Sequence, residues 1–443
     1  MSIGHVLHRS TLAAPPVAVR GEGIFLFDAS GRRYLDACGG AAVSSLGHGH
    51  PKIISAIARQ AEQLEYVHTG FFTSEAAEEL GSLIADLSPG SLERVWFTSS
   101  GSEATEAALK LARQVQLERG RPERSKVIAR HLSFHGNTLG ALAAGGSTMR
   151  RAPYAPLLAD TSFIEPCFHY RFGEANESAE DFGRRAADAL ESEILRLGPK
   201  NVMAFIAETV VGATAGAVPP APGYFRRIRE ICDSFGVLLI LDEVMCGSGR
   251  TGTFLAFEQE DVVPDIATLG KGLGGGYQPI GAVLCTSEIH QAIASGSGKL
   301  GHGQTYNAHP IGCAAALEVQ RVIIDEGLLD RVGIAGERLK GLLEARFADH
   351  PNVGDIRGSG LFLALELVAD RGSKACFEPR LAIHERMKSE GFERGLLIYP
   401  SGGTADGKSG DHILLAPPYN VSDDELEMIV DLLGETVEAI LPR

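Results

Sequence analysis

The sequence predicts an α/β protein: a mostly parallel central sheet with helices on both faces, plus a smaller α+β domain. Three observations carry this. From about residue 94, short β-rich runs alternate with amphipathic segments of helical spacing, the pattern of strand–helix–strand units. One run, "VLLILDEV" (237–244), is apolar without alternation, as a strand covered on both faces must be. After about residue 325 the rhythm changes, and 443 residues exceed what one ordinary core organises.

Taken in order, residues 1–60 read as an N-terminal segment that packs with the smaller domain. Within it "GIFLFDASGRRYLDA" has the form of a hairpin turning at Ala29-Ser30-Gly31. Residues 61–325 form the large domain. Its strand candidates are "RVWFTS", "KVIAR", "SFIEP", "VMAFIAE", "VLLILDEV", "DIATLG" and "GAVLCT", with amphipathic segments at 102–117, 178–197 and 223–235. Residues 326–443 form the small domain: a helix near 329–346, "GLFLALEL", a helix near 380–390, then "LLIYP" and "HILLAPP". The last helix opens with "SDDE", where Ser422 caps and Glu425 reaches back. Leu426, Ile429, Val430, Leu433 and Val437 follow at helical spacing.

Composition removes several function classes. A net charge of −15, a single Trp and no interleaving of aromatic and basic residues argue against nucleic acid. No apolar run approaches the ~18 residues that span a bilayer. The N-terminus lacks the long apolar core of a signal peptide. Seven scattered cysteines without a C-x-x-C pair read as reduced thiols, so a cytoplasmic location is expected. "HGH" at 48–50 has no acid or thiol cluster to complete a metal site, and none is expected.

Chemistry concentrates in three stretches. In "FTSSGSEATEAALKLARQ" a strand runs through a Ser/Gly turn into a helix starting near Ser102. Its free N–H groups make an anion site that Gly101 leaves open and the Ser102 hydroxyl supplements, although an ordinary serine cap would look the same. In "LLILDEVMCGSGRTG", Asp242 lies at the carboxyl end of a buried strand, where open α/β sheets bind ligands. An acid placed there needs a cationic partner or it protonates. The "GSGRTG" that follows matches a dinucleotide fingerprint literally, but it precedes only a short helix before Pro264 and reads as a turn. Third, "TLGKGLGGG" places Lys271 just past an apolar strand. Gly272 follows it and Asp265 stands where a first glycine is required, so this is not a P-loop. A surface lysine is the default, yet a strand-end position favours a desolvated amine suited to Schiff-base chemistry.

With these stretches, "FHGNTLGAL", "AETVVGATAGAVPP" and "HGQTYNAHPIGCAAAL" make the chain resemble the class III aminotransferases, fold type I enzymes that use pyridoxal 5′-phosphate (PLP). The resemblance runs from "GRRYLDACGG" to "GDHILLAPPYNVSDDEL". It implies that Lys271 carries PLP and moves the proton, that Asp242 pairs with the pyridine nitrogen, and that Gly101 and Ser102 hold the phosphate. Phe134, where relatives often have Tyr, and Val244 would cover the two ring faces, with Glu208 in a supporting hydrogen bond. Thr305 would reach the phosphate of the neighbouring subunit, implying a homodimer with shared active sites.

Departures from the family bear on substrate. Relatives acting on 4-aminobutyrate or ornithine read E-P-V-Q-G-E after the sheet glutamate; here Val211 and Ala213 replace the glutamine and second glutamate. Positions that carry an arginine in relatives read Asn137 and Tyr399-Pro400, leaving Lys408, Arg150 and Arg151 as possible carboxylate partners or solvated charges. Without a parking acid an arginine switch is expected to be absent. The expectation is therefore a ping-pong aminotransferase moving an amino group from a primary amine or ω-amino acid to an oxo acid, with pyruvate the better acceptor. Phe71 and Phe72 are candidates for either pocket wall or core. A PLP-dependent decarboxylase or aminomutase, a nicotinamide oxidoreductase built on "GSGRTG", and a non-catalytic relative are the alternatives.

Overall fold

A computed structural model describes residues 5–12 and 14–441; Met1–Gly4, where the expectation of no leader begins, lie outside it. Three strands open the chain: β1 (Ala18–Glu22), β2 (Phe25–Asp28) and β3 (Arg33–Asp36). β2 and β3 form the expected hairpin, and Asp28 fixes its turn by accepting from the backbone N–H groups of Ser30 (2.8 Å) and Arg32 (3.0 Å).

Next come β4 (Arg94–Thr98), β5 (Lys126–Arg130), β6 (Ser162–Ile164), β7 (Val202–Glu208), β8 (Leu238–Asp242), β9 (Ile266–Leu269) and β10 (Gly281–Cys285). They make one seven-stranded sheet in the order β4-β10-β9-β8-β7-β5-β6. Every pairing is parallel except those of β10, which runs against both β4 and β9. β7 and β8 are buried along their whole length, which explains their unbroken apolar runs. Helices Gly101–Glu118, Ala179–Leu197 and Tyr224–Phe235 lie on the faces and bury the Ala, Leu and Ile positions of the helical stripe.

Beyond residue 325 follow β11 (Val353–Ser359), β12 (Phe362–Leu367), β13 (Leu396–Leu397), β14 (Tyr399–Gly402) and β15 (Asp411–Leu415). β11, β12, β15 and β14 form an antiparallel sheet covered by helices Leu328–Phe347 and Asp423–Ile440, the latter with the Ser422/Glu425 capping box. "LLIYP" is not one strand. β13 pairs in parallel with β3, and after Ile398 the chain crosses to pair β14 with β15. The N-terminal hairpin is thereby stitched to the C-terminal layer. Helix Pro310–Asp325 serves two cores: Cys313, Ala316 and Leu317 face the large sheet's core, while Ala315, Val319, Val322 and Ile323 face the C-terminal one.

One buried cluster fixes the two layers together. Glu366 on β12 receives Arg171 at 2.5 Å and Arg357 at 2.6 Å, and Arg357 also donates to the Gly216 carbonyl at 2.7 Å. Two guanidiniums on one fully buried acid compensate its desolvation and anchor the loop after β7.

Candidate active site

Register builds the centre of the site. Glu208 pairs with Asp242, and Asp242 pairs with Thr268, so the carboxyl ends of β7, β8 and β9 stand side by side. Asp242 Oδ1 accepts from the Val244 N–H at 2.9 Å and the Thr268 hydroxyl at 3.3 Å. Its Oδ2 lies 2.7 Å from His135 Nδ1, and both side chains are buried. His135, to which the sequence reading gave no catalytic role, is the nearest side-chain partner of this acid. Only its place beside Phe134 hinted at this.

Glu208 is clamped at both oxygens, by the Phe134 N–H at 3.2 Å and the Gly212 N–H at 3.1 Å. Burial pushes its carboxyl pKa up, opposed by the neighbouring His135. The loop carrying Phe134 and His135 continues to Ser102, whose Oγ accepts from the Asn137 N–H at 3.1 Å.

Helix Gly101–Glu118 starts one residue earlier than expected. Ser100 is its cap and accepts from the Glu103 N–H at 3.2 Å, while Glu103 reaches back to the Ser99 N–H at 2.7 Å. Ser102 is therefore inside the first turn, not the cap, and the Gly101 and Ser102 N–H groups are left over. The floor beside them is tight. A Cβ on Gly101 would stand 2.6 Å from Val244 Cγ1, and one on Gly270 would stand 3.4 Å from the Gly101 nitrogen. Gly101, Val244 and the residue preceding Lys271 thus meet at one point.

Lys271 itself is held at φ +44°, a left-handed conformation unusual for a side-chain-bearing residue. Desolvation pulls its ammonium pKa down to about 8, against the opposing pull of Asp242 and Glu208. This is the desolvated amine that the strand-end position suggested.

Thr305 lies elsewhere on the chain's surface. It is exposed, its carbonyl accepts from the Tyr66 hydroxyl at 3.1 Å, and no hydrogen bond joins it to Lys271, Gly101 or Ser102 among the described residues. Phe71 and Phe72 are 81% and 70% exposed, so the core reading for them does not hold. "GSGRTG" is a turn: Gly249 and Gly252 have positive φ, and buried Arg250 donates to the Leu361 and Pro417 carbonyls at 3.1 and 2.5 Å. Only the short 3-10 helix Ala256–Glu260 follows. No cluster of three metal-ligating side chains occurs among the described residues, and His48 instead faces Asp36 at 3.5 Å. No helix among them is long and apolar enough to cross a membrane.

A buried strand-end acid, a desolvated lysine beyond the next strand and an open helix start define a fold type I PLP enzyme. The family model "Aminotransferase class-III" matches residues 7–437, and the chain belongs to that family. An uncharacterized aminotransferase of Schizosaccharomyces pombe is 44% identical, over 98% of this chain and 95% of the relative. An (S)-enantioselective omega-transaminase from Thermomicrobium roseum superposes with a TM-score of 0.92 at 35% identity, over 99% of this chain and 96% of that one. An omega transaminase from Pseudomonas jessenii, in complex with PMP, superposes with a TM-score of 0.92 at 33% identity, over 99% and 98% of the two chains.

The residues fit PLP, the cofactor of this family. The bare Gly101 floor is a cradle that a Cβ would fill, the leftover N–H groups suit a phosphate, and Asp242 suits a protonated ring nitrogen.

Proposed function

We propose that this protein transfers the amino group of a primary amine or ω-amino acid to a short oxo acid, with pyruvate the better acceptor, in a ping-pong reaction. The observation that carries the reading is the register aligning Glu208, Asp242 and Thr268, with Lys271 just past β9. When bound, PLP supplies the electron sink for the pair released as the substrate Cα–H breaks. Lys271 Nζ would hold the cofactor and serve as the base that carries the substrate proton; with its pKa near 8, a sizeable neutral fraction is available in mildly alkaline solution. Asp242 keeps the ring nitrogen protonated, and His135 holds that carboxylate in place. Gly101 and Ser102 would hold the phosphate at the helix start and Phe134 and Val244 would cover the ring faces, while Glu208 fixes the Phe134 backbone.

A second copy of the chain is needed to bring Thr305 to the phosphate. The segment around it supports this. Asn307 is only 3% exposed, yet among the described residues neither of its amide atoms has a hydrogen bond, and Gln304 Oε1 and His302 Nε2 are also buried without a partner there. Such orphans cost about 1–3 kcal/mol each, and a docked subunit would relieve them. Tyr306, exposed, belongs to the same segment, and Thr69 and Thr73, which flank exposed Phe71 and Phe72, line one cavity with Asn307.

The acceptor preference rests on Ala213, which leaves no acid to hold an arginine aside. Comparing kcat/KM for pyruvate and 2-oxoglutarate with one good amine tests it. A higher value for pyruvate is expected; a clear preference for 2-oxoglutarate overturns it. Carbon dioxide release in the same assays would point to decarboxylation instead.

A further inference from the structure

Three cations stood near the site in the sequence, and the structure separates them. Arg151 is spent on the chain itself: it donates to the carbonyls of Leu142 and Gly145, each at 3.1 Å, and of Ala143, with its guanidinium over the Phe163 ring. Lys408 is exposed on a tight turn fixed by Asp406, which accepts from the Lys408 and Ser409 N–H groups. Arg150 differs from both. Its guanidinium carbon sits 4.6 Å above the Phe134 ring centroid, and it has no hydrogen bond or ion pair among the described residues.

The space beside Arg150 is a partly open cavity with no acid on its wall. This cavity of about 170 Å³ also touches Ser147, Ala213, Thr214, His384 and Ser401. The one other titratable wall residue, His384, is already engaged by Asp411 at 2.6 Å. No carboxylate lines the cavity, and Ala213 occupies the place where a glutamate could have paired with the arginine. The same Phe134 that carries Arg150 on its ring is tied through its N–H to Glu208, beside Asp242. The positive charge also reaches Lys271, whose ammonium it helps to disfavour. A half-buried guanidinium with free donors, walled by hydroxyls and no acid, matches a carboxylate in shape and charge.

We propose that Arg150 binds the carboxylate of the oxo-acid acceptor, and of the amino acid formed from it, in the cavity it shares with Ala213 and Thr214. This rests on the aminotransferase reading above, but not on which oxo acid is preferred. With no acid nearby to draw it away, Arg150 stays in place in both half-reactions. A short carboxylate-bearing substrate therefore gains from it, and a neutral amine or aldehyde does not.

The test uses the holoenzyme and Arg150→Gln, with Arg150→Lys as a variant that keeps charge but loses the two-pronged geometry. Loss of a charge-assisted pair predicts a rise in KM of about tenfold to a hundredfold for whichever oxo acid the wild type prefers. The KM for a neutral aldehyde of similar length should stay within about twofold, and Arg150→Lys should fall between. Independently of turnover, equilibrium binding of propanoate to the holoenzyme should weaken by the same factor in Arg150→Gln. Unchanged oxo-acid KM and propanoate binding, or equal losses for acid and aldehyde in a folded variant, overturn the assignment. A wild type that transfers amino groups to no acceptor while still binding propanoate through Arg150 would instead count against the aminotransferase reading alone.

Discussion

At the residue scale the site depends on one desolvated lysine and one acid held by hydrogen bonds. Asp242 has three donors: the Val244 N–H, the Thr268 hydroxyl and His135. Lys271 has none of these supports and is desolvated instead, so its pKa falls to about 8. The sign follows: a lysine with a lowered pKa is ammonium below that value and a free nucleophile above it. Apoenzyme should therefore combine with PLP slowly at pH 6 and faster as pH rises, with the rate half-maximal near pH 8 rather than near the usual lysine value. Stopped-flow absorbance of cofactor uptake across pH 6–10 reads this directly. Uptake that keeps accelerating beyond pH 10, or a cofactor reduced by borohydride onto any other lysine, would count against a desolvated Lys271 as the attachment point.

At the element scale, the turn from β4 into helix Gly101–Glu118 is a tight joint of the cleft. An alanine at 101 would set its Cβ 2.6 Å from Val244 Cγ1 and 3.0 Å from Cγ2, and a β-branched side chain touched on both branches cannot rotate clear. Gly101→Ala should destabilise the apoenzyme by about 1–3 kcal/mol and weaken PLP binding, with Val244→Ala restoring part of both. Urea unfolding at fixed protein concentration and cofactor titration measure the two effects; additive losses in the double variant would show that no such contact exists. This joint was legible in the sequence only as a Ser/Gly turn before a helix. Strands β7 to β10 of the large sheet could be read as such because doubly covered strands write continuous apolar runs. The split of "LLIYP" could not, because β13 and β14 are equally apolar and differ only in the sheet they join. The His135–Asp242 contact and the setting of Arg150 over Phe134 were hidden for a related reason. They are made between elements 107 and 16 residues apart, which the sheet order and the loop path decide, not local pattern.

At the scale of the whole molecule, the chain displays several exposed aromatic side chains. Phe71, Phe72 and Tyr306 are 81%, 70% and 59% exposed, and Tyr66 packs edge-on to Tyr306 while its hydroxyl holds the Thr305 carbonyl. Apolar residues look alike in sequence whether they face a core or lie exposed, which is why the two phenylalanines were read as pocket wall or core. If two copies meet here in two-fold symmetry, each cleft combines Lys271 of one chain with Thr305 of the other. Complementation separates this from a site made within one chain. Lys271→Ala chains lack the amine, and Thr305→Glu chains place a negative charge against the phosphate, so each homodimer should be inactive. In a heterodimer one cleft takes the intact Lys271 from the Thr305→Glu chain and the intact Thr305 from the Lys271→Ala chain. The other cleft collects both lesions. Random reassociation of equal amounts makes half the dimers mixed, so about one quarter of all clefts should be intact and activity should recover to about that fraction of wild type. Differently tagged chains purified as mixed dimers should reach about half. If Thr305 instead served its own chain's cleft, every cleft in the mixed dimer would carry a lesion. Mixed dimers confirmed by both tags yet no more active than their parents would rule out the shared site.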